Sequence, residues 1–171
     1  MVVHRIAGIT AEIDAEETRR IYASMAEDRE TGALKNFRWN VRQRKAAFDA
    51  YFLPLGIDPL KVRSLFVSEV DPYTQTVRCS GEYPVAAAFH GTDLERLEIM
   101  RDSAAWEWKT ETEFGAELQY IFRGRRPEIY IDITFPWVLY PPIAVCRYAN
   151  KARIPDEPTE EPVWRKREET I

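Results

Sequence analysis

The chain has 171 residues, of which 45% are hydrophobic and 30% charged, the size and balance of one ordinary globular domain that buries a core without staples. Seven glycines and eleven prolines exclude a collagen-like or low-complexity chain, and 12% aromatic residues exclude a disordered one. Twenty-four Lys and Arg against 28 Asp and Glu leave a formal charge of -4, which excludes sequence-blind binding of nucleic acid by the whole surface.

In chain order, Val2 to Ile6 reads as a short strand. Asp14 with Glu17 three positions on forms a capping box that opens a helix, with Ile21 and Met25 toward the core and Gly32 as its terminator. A second helix is expected from Asn40, an N-cap residue type, to Leu53. Its Val41, Phe48, Phe52 and Leu55 share one face, and Pro54 and Gly56 stop it. From Val62 to Val70 and from Thr76 to Cys79 the β-branched and aromatic content predicts two strands, joined as a hairpin by Asp71-Pro72-Tyr73. Val85 to Phe89 is a further strand. Thr92 with Glu95 is a second capping box, and Leu94, Leu97 and Met100 continue a helix to about Asp102.

Beyond it, Trp106, Trp108, Thr110, Thr112 and Phe114 alternate with charged residues, the period of a strand with one wet face. Leu118 to Phe122 and Glu128 to Phe135 read as two more strands around Gly124-Arg125-Arg126-Pro127. The class is α+β: two N-terminal helices, then an antiparallel sheet with one inserted helix. Residues 1–150 form a single domain and 151–171 an extended charged tail. That tail holds three prolines, eleven charges and Trp164, and it reads either as a frayed end or as an arm that orders on a partner with Trp164 as anchor.

Cys79 and Cys146 are far apart in sequence and are expected as reduced thiols. The opening apolar stretch is too short for a signal peptide, and the apolar run 135–146 is interrupted by three prolines and too short for a membrane helix. The expectation is a cytoplasmic protein with no membrane contact. No close cysteine pair offers a zinc site, and no Gly-rich loop offers a phosphate site.

Two other features carry chemistry. His90-Gly91-Thr92 lies at a strand-to-helix corner and resembles the nicotinamide-side histidine motif of ADP-ribosyltransferases, with Tyr120 downstream; the plainer reading is a histidine satisfied near a helix cap. The run Lys35 to Lys45 holds five basic residues, no acid and two aromatics. Arg38, Arg42 and Lys45 share a face if the helix begins early, with Phe37 and Trp39 interleaved. Such a stripe contacts a partner protein, stays solvated, or serves a nucleic-acid binding module.

Several segments taken in order resemble the small, or gamma, subunit of acetone carboxylase and related hydantoinase/oxoprolinase-type ketone carboxylases. They are Ile13-Asp14, Leu53-Pro54-Leu55-Gly56, Thr76-Val77-Arg78-Cys79 with Gly81, the charged helix from Thr92, Gln119-Tyr120-Ile121-Phe122, and Phe135-Pro136-Trp137 leading into Tyr140-Pro141-Pro142-Ile143. The resemblance implies an accessory subunit without its own catalytic site in a multisubunit, ATP-dependent carboxylase or hydrolase. Its large catalytic partners hold the ATP and the divalent metal. The partner contacts expected on this reading are Phe37, Arg38, Trp39, Arg42 and Lys45 of the basic run and Trp164 of the tail. It also implies a degenerate zinc-ribbon-like sheet, because the family's cysteine pairs are reduced here to Cys79, and the second turn reads Arg123-Gly124-Arg125-Arg126. No cofactor is then expected on this chain.

Overall fold

A computed structural model describes residues 1–102, 109–123, 126–146, 151–155 and 159–162. Two strands, β1 (Val2–Ile6) and β2 (Ile9–Ile13), form a tight antiparallel hairpin at the N-terminus. Helix α1 (Ala15–Ser24) follows, capped as its sequence predicts: Asp14 Oδ1 accepts the Glu17 N–H at 3.0 Å. Its buried residues include Tyr22, while Ile21 and Met25 are only half-buried.

The next helix departs from expectation. Gly32 starts helix α2 (Gly32–Gln43) instead of ending α1, because Thr31 is the N-cap and its hydroxyl accepts the Leu34 N–H at 3.2 Å. Arg44, at φ -109° and ψ 26°, breaks the run, and α3 (Lys45–Phe52) follows, closed by the single turn Leu53–Leu55. Asn40 is therefore not a cap. It sits inside α2, buried, with its amide donating to Asn36 O at 2.9 Å and to Pro136 O at 3.1 Å. Gly56 has φ +80°, and a Cβ there would lie 2.1 Å from Ala15 O, so the turn that brings α3 back against α1 requires glycine.

The rest is mainly antiparallel sheet, which with the helices makes an α+β fold. Strands β3 (Arg63–Asp71) and β4 (Thr76–Pro84) form the expected hairpin around Asp71, whose carboxylate accepts the Tyr73 and Thr74 N–H groups. β5 (Ala87–Phe89) leaves that sheet and pairs with β2, so the first sheet runs β1-β2-β5. Helix α4 (Thr92–Asp102) lies where the second capping box predicts it. β6 (Thr110–Glu111), β7 (Ala116–Arg123) and β8 (Arg126–Pro136) complete a five-stranded sheet in the order β3-β4-β8-β7-β6. Trp106 and Trp108 of the expected alternating strand, and Gly124-Arg125 of the turn, lie outside the described residues, as do the side chains of Met100 and Cys146.

One face of this sheet is apolar. Val77, Cys79 and Tyr83 of β4, Ile129, Ile131, Ile133 and Phe135 of β8, and Leu118 and Tyr120 of β7 are all buried against the helices. The contact is aromatic: Phe48 lies 4.6 Å from Phe114, Phe52 lies 4.8 Å from Tyr83, and Phe37 meets Phe135 edge-on at 5.5 Å between ring centroids. Asn36 seals the seam, its amide donating to Pro136 O at 3.0 Å and its oxygen accepting the Val138 N–H at 3.0 Å.

After β8 the chain forms β9 (Leu139–Tyr140) and β10 (Ala144–Cys146). The segment expected as a tail contributes two short strands back to the body. β11 (Lys151–Arg153) pairs with β10, and β12 (Thr159–Pro162) pairs with β9, while Ala152 and Ile154 pack on the core. β10 and β11 stand on either side of the expected boundary at residue 150. Among the described residues no helix is long and apolar enough to cross a membrane.

Candidate functional site

Strand alternation sends the polar residues of β4, β7 and β8 to the other face of the five-stranded sheet. In register across it lie Ser80, Asp132 and Glu117 in one row, and Glu82, Tyr130 and Gln119 in the next. Ser80, Glu82, Gln119, Glu128, Tyr130 and Asp132 are nonetheless buried, an unusual density of polar side chains away from water.

Arg78 organises this face. Its Nε and one terminal nitrogen donate to the two Asp132 oxygens at 2.9 and 2.8 Å, a bidentate fork, and the same terminal nitrogen reaches Glu117 at 2.9 Å. Lys109 Nζ donates to Glu117 at 2.9 Å and to Asp132 at 3.4 Å, and the Ser80 hydroxyl adds a contact to Asp132 at 3.4 Å. Burial alone would raise the pKa of Asp132, but the hydrogen bond and charge of Arg78, helped by Lys109, outweigh it and hold the carboxyl below its ordinary range. A cavity of about 400 Å³ opens over this network, with Phe66, Tyr130, Arg78, Lys109 and Asp132 on its walls. That volume is within the range of small-molecule sites, roughly 300–1,000 Å³. Phe66 is a half-exposed aromatic at the rim, on the edge strand β3.

A second polar cluster joins the two sheets. Tyr120 Oη lies 2.7 Å from His4 Nδ1, and the His4 ring meets Tyr51 edge-on at 5.3 Å. Burial lowers the pKa of His4 and pushes the Tyr51 hydroxyl up to about 12. The expected partner of Tyr120 was His90, and the structure replaces it. His90 points outward, 69% exposed, with Nε2 3.4 Å from a Glu12 oxygen, whereas Tyr120 is buried beneath Phe89. His90 and Tyr120 thus each face a different partner, Glu12 and His4.

The basic run is divided in the same way. Phe37 is fully buried and is a core residue, not a partner contact. Trp39 is half-buried and packs on the core. Arg38 is drawn in, donating to Leu60 O at 3.2 Å and lying 3.8 Å from Glu30. Arg42 is exposed at the end of α2, while Lys45 opens α3 and pairs with Asp49. Between them Arg44 turns to the sheet, over the Phe135 ring at 5.1 Å and toward Phe114 O at 3.3 Å, so the break at this residue interrupts the stripe. Trp164 lies outside the described residues.

Cys79, the one cysteine left of the zinc-ribbon pairs that the resemblance implies, lies on β4. Cys79 sits in mid-strand facing the core and opposite Ile133, which is about 23 Å along β8 from Arg126 at the β7–β8 turn. Burial, with the nearby Asp132 charge, pushes its thiol up to about 12, far from a metal-binding or nucleophilic thiolate. Among the described residues no group of three or more His, Cys, Asp or Glu side chains converges to hold a metal ion.

The Arg78 network was missed by motif reasoning because it has no local motif: its members come from three strands and the segment before β6. A signal does exist. Glu128, Tyr130 and Asp132 alternate with Ile129, Ile131 and Ile133, which marks β8 as a strand with one polar and one apolar face. Compared with protein-family models, curated proteins and solved structures, the chain has no significant match in any of them.

Proposed function

We propose that the chain is an accessory subunit of a multisubunit enzyme, a carboxylase or hydrolase of the hydantoinase-related kind whose large partners hold the ATP, the divalent metal and the catalytic residues. The observation that carries this reading is the placement of the segments resembling the gamma subunit. Thr76-Val77-Arg78-Cys79 lies on β4, Gln119-Tyr120-Ile121-Phe122 on β7, and Phe135-Pro136 ends β8, the strand between them. Leu53-Pro54-Leu55-Gly56 closes the helical layer, where Phe52 packs on Tyr83 of β4. Four segments scattered in sequence thus gather at the centre of one sheet and its covering layer, while Ile13 lies on the first sheet and the helix from Thr92 outside both. The resemblance then concerns a packed unit, which is what a shared scaffold requires.

In this reading the chain acts by holding shape and presenting surface. The exposed apolar residues Phe66 and Leu53, on opposite sides of the fold, and the exposed Arg42 and Lys45 are available to large partners. Mild affinity purification of the chain from its own cells tests the proposal. The expected result is two large proteins in constant ratio, with ATP-dependent carboxylation or hydrolysis found only in the complex. A lone, monodisperse 20 kDa protein overturns it.

A further inference from the structure

Arg78 organises the polar face, and one part of its guanidinium is left open. Nε and Nη2 are taken by Asp132 and Glu117, whereas Nη1 makes no hydrogen bond among the described residues. The side chain is 38% exposed and lines the cavity over the sheet, so the two Nη1 N–H groups are donors open to that side. Glu69 stands opposite Arg78 in the β3–β4 register and lines the same cavity. It is exposed, and among the described residues its carboxylate accepts no hydrogen bond and forms no ion pair, although its charge acts on Arg78.

An aromatic ring stands beside these groups. Phe66 pairs with Ser80 and Ser80 with Asp132, so Phe66 lies two strand spacings, about 10 Å, from Asp132 on the same face. It is half-exposed on the wall of the cavity, whose volume of about 400 Å³ is ample for one six-membered ring with its substituents. Charge decides which ligands suit the place. Arg78 and Lys109 are already matched by Asp132 and Glu117 through bonds of 2.8–2.9 Å. An anion has to take the two bases from those carboxylates, and a cation has to take the carboxylates from the bases; either exchange leaves a charge without its partner. Glu69 alone, exposed to water, holds a cation weakly. A neutral ligand leaves the network as it is.

We infer that this cavity binds a neutral sugar of the hexose class, as a free sugar or as the end of a glycan chain. Sugar hydroxyls both donate and accept at neighbouring atoms: one accepts from Arg78 Nη1, the next donates to Glu69, and the C–H face of the ring lies on Phe66. The guanidinium is fixed before the ligand arrives by its three hydrogen bonds to Asp132 and Glu117, which lowers the ordering cost of binding. The site lies within this chain, so the assignment is independent of the subunit proposal.

NMR titration of the full chain with glucose, galactose, mannose and the disaccharides maltose and lactose tests it, with spermidine and inorganic phosphate as charged controls. At least one neutral sugar is expected to bind with a dissociation constant of about 1–10 mM, insensitive to salt, with amide shifts confined to β3, β4 and β8 around Phe66, Glu69 and Arg78. Tighter binding of a disaccharide than of its monosaccharides supports the glycan end, and equal binding supports the free sugar. Phe66→Ala and Glu69→Gln change exposed side chains, so both are expected to keep the wild-type melting curve and to weaken the sugar by about fivefold and about threefold or more, respectively. No shift with any of the neutral sugars at about 100 mM, shifts outside those strands, unchanged affinity in both folded variants, or tighter binding of either charged control overturns the assignment.

Discussion

The two faces of the five-stranded sheet are built from the same three central strands and both bury side chains, yet they solve burial in opposite ways. On the helical side, Ile129, Ile131, Ile133 and Phe135 share an apolar core with Phe37, Phe48 and Phe52. On the other side, Asp132, Glu117, Arg78 and Lys109 neutralise one another, and Gln119 and Glu128 keep unmet acceptors. An apolar face gains free energy from the area removed from water, about 25 cal/mol per Å², whereas a buried ionic face roughly breaks even. The first face therefore holds the fold together. The second adds little to it.

That contrast can be broken from either side. Phe135→Ala, which empties a ring from between Phe37 and Phe48, should cost about 3–5 kcal/mol in urea unfolding. Asn36→Ala removes the polar clamp between α2 and the end of β8 and leaves the Val138 N–H buried without a partner. It should cost about 2–3 kcal/mol, showing that the apolar face also depends on a few satisfied polar groups. Arg78→Ala leaves Asp132 without its fork, but Arg78 is 38% exposed, so solvent screening should hold the loss to about 1–2 kcal/mol. If Arg78→Ala proved costlier than Phe135→Ala, the division of labour between the faces would be wrong.

Acid sharpens the comparison. Burial lowers the pKa of His4 below its ordinary 6.5, so the folded state binds fewer protons there than the unfolded chain. The stability this gives is complete above pH 6.5 and is lost as pH falls through and below that value. His4→Phe should remove this loss from a series of unfolding curves between pH 8 and pH 5, roughly the window of histidine titration. Asp132 behaves likewise at lower pH: its contribution is complete above its ordinary 3.8 and is lost as pH falls below it toward its depressed folded pKa. The smallest effect expected is at Lys45→Ala, below about 0.5 kcal/mol, because Lys45 is 71% exposed and its pair with Asp49 spans one helical turn at the surface.

Elements defined by short-range chemistry were legible before the fold. The Asp14–Glu17 box, the Asp71 turn and the helix from Thr92 lie where residues within four positions of each other specify them. The helical layer was misdivided because Gly32 and Asn40 have two local meanings. Glycine ends or starts a helix, and asparagine caps one or donates within one. The choice was made by Thr31 at close range and by Pro136 O nearly a hundred residues away. The same distance hid the Tyr120 partner. His4 and His90 both lie on strands or corners of the first sheet, and only the packing of that sheet on β7 selects His4.

The sequence by itself determined the class and the alternation that makes β8 two-faced, because hydrophobic period and turn chemistry act over a few residues. Tertiary structure alone decided which polar residues meet. Arg78, Lys109, Glu117 and Asp132 are brought together by strand order and register, and strand pairing over long loops obeys no rule that a local pattern can state. For the same reason Phe37 became core while Arg42 stayed at the surface, although both belong to one basic stretch: a helix face has meaning only once the sheet against which it packs is in place.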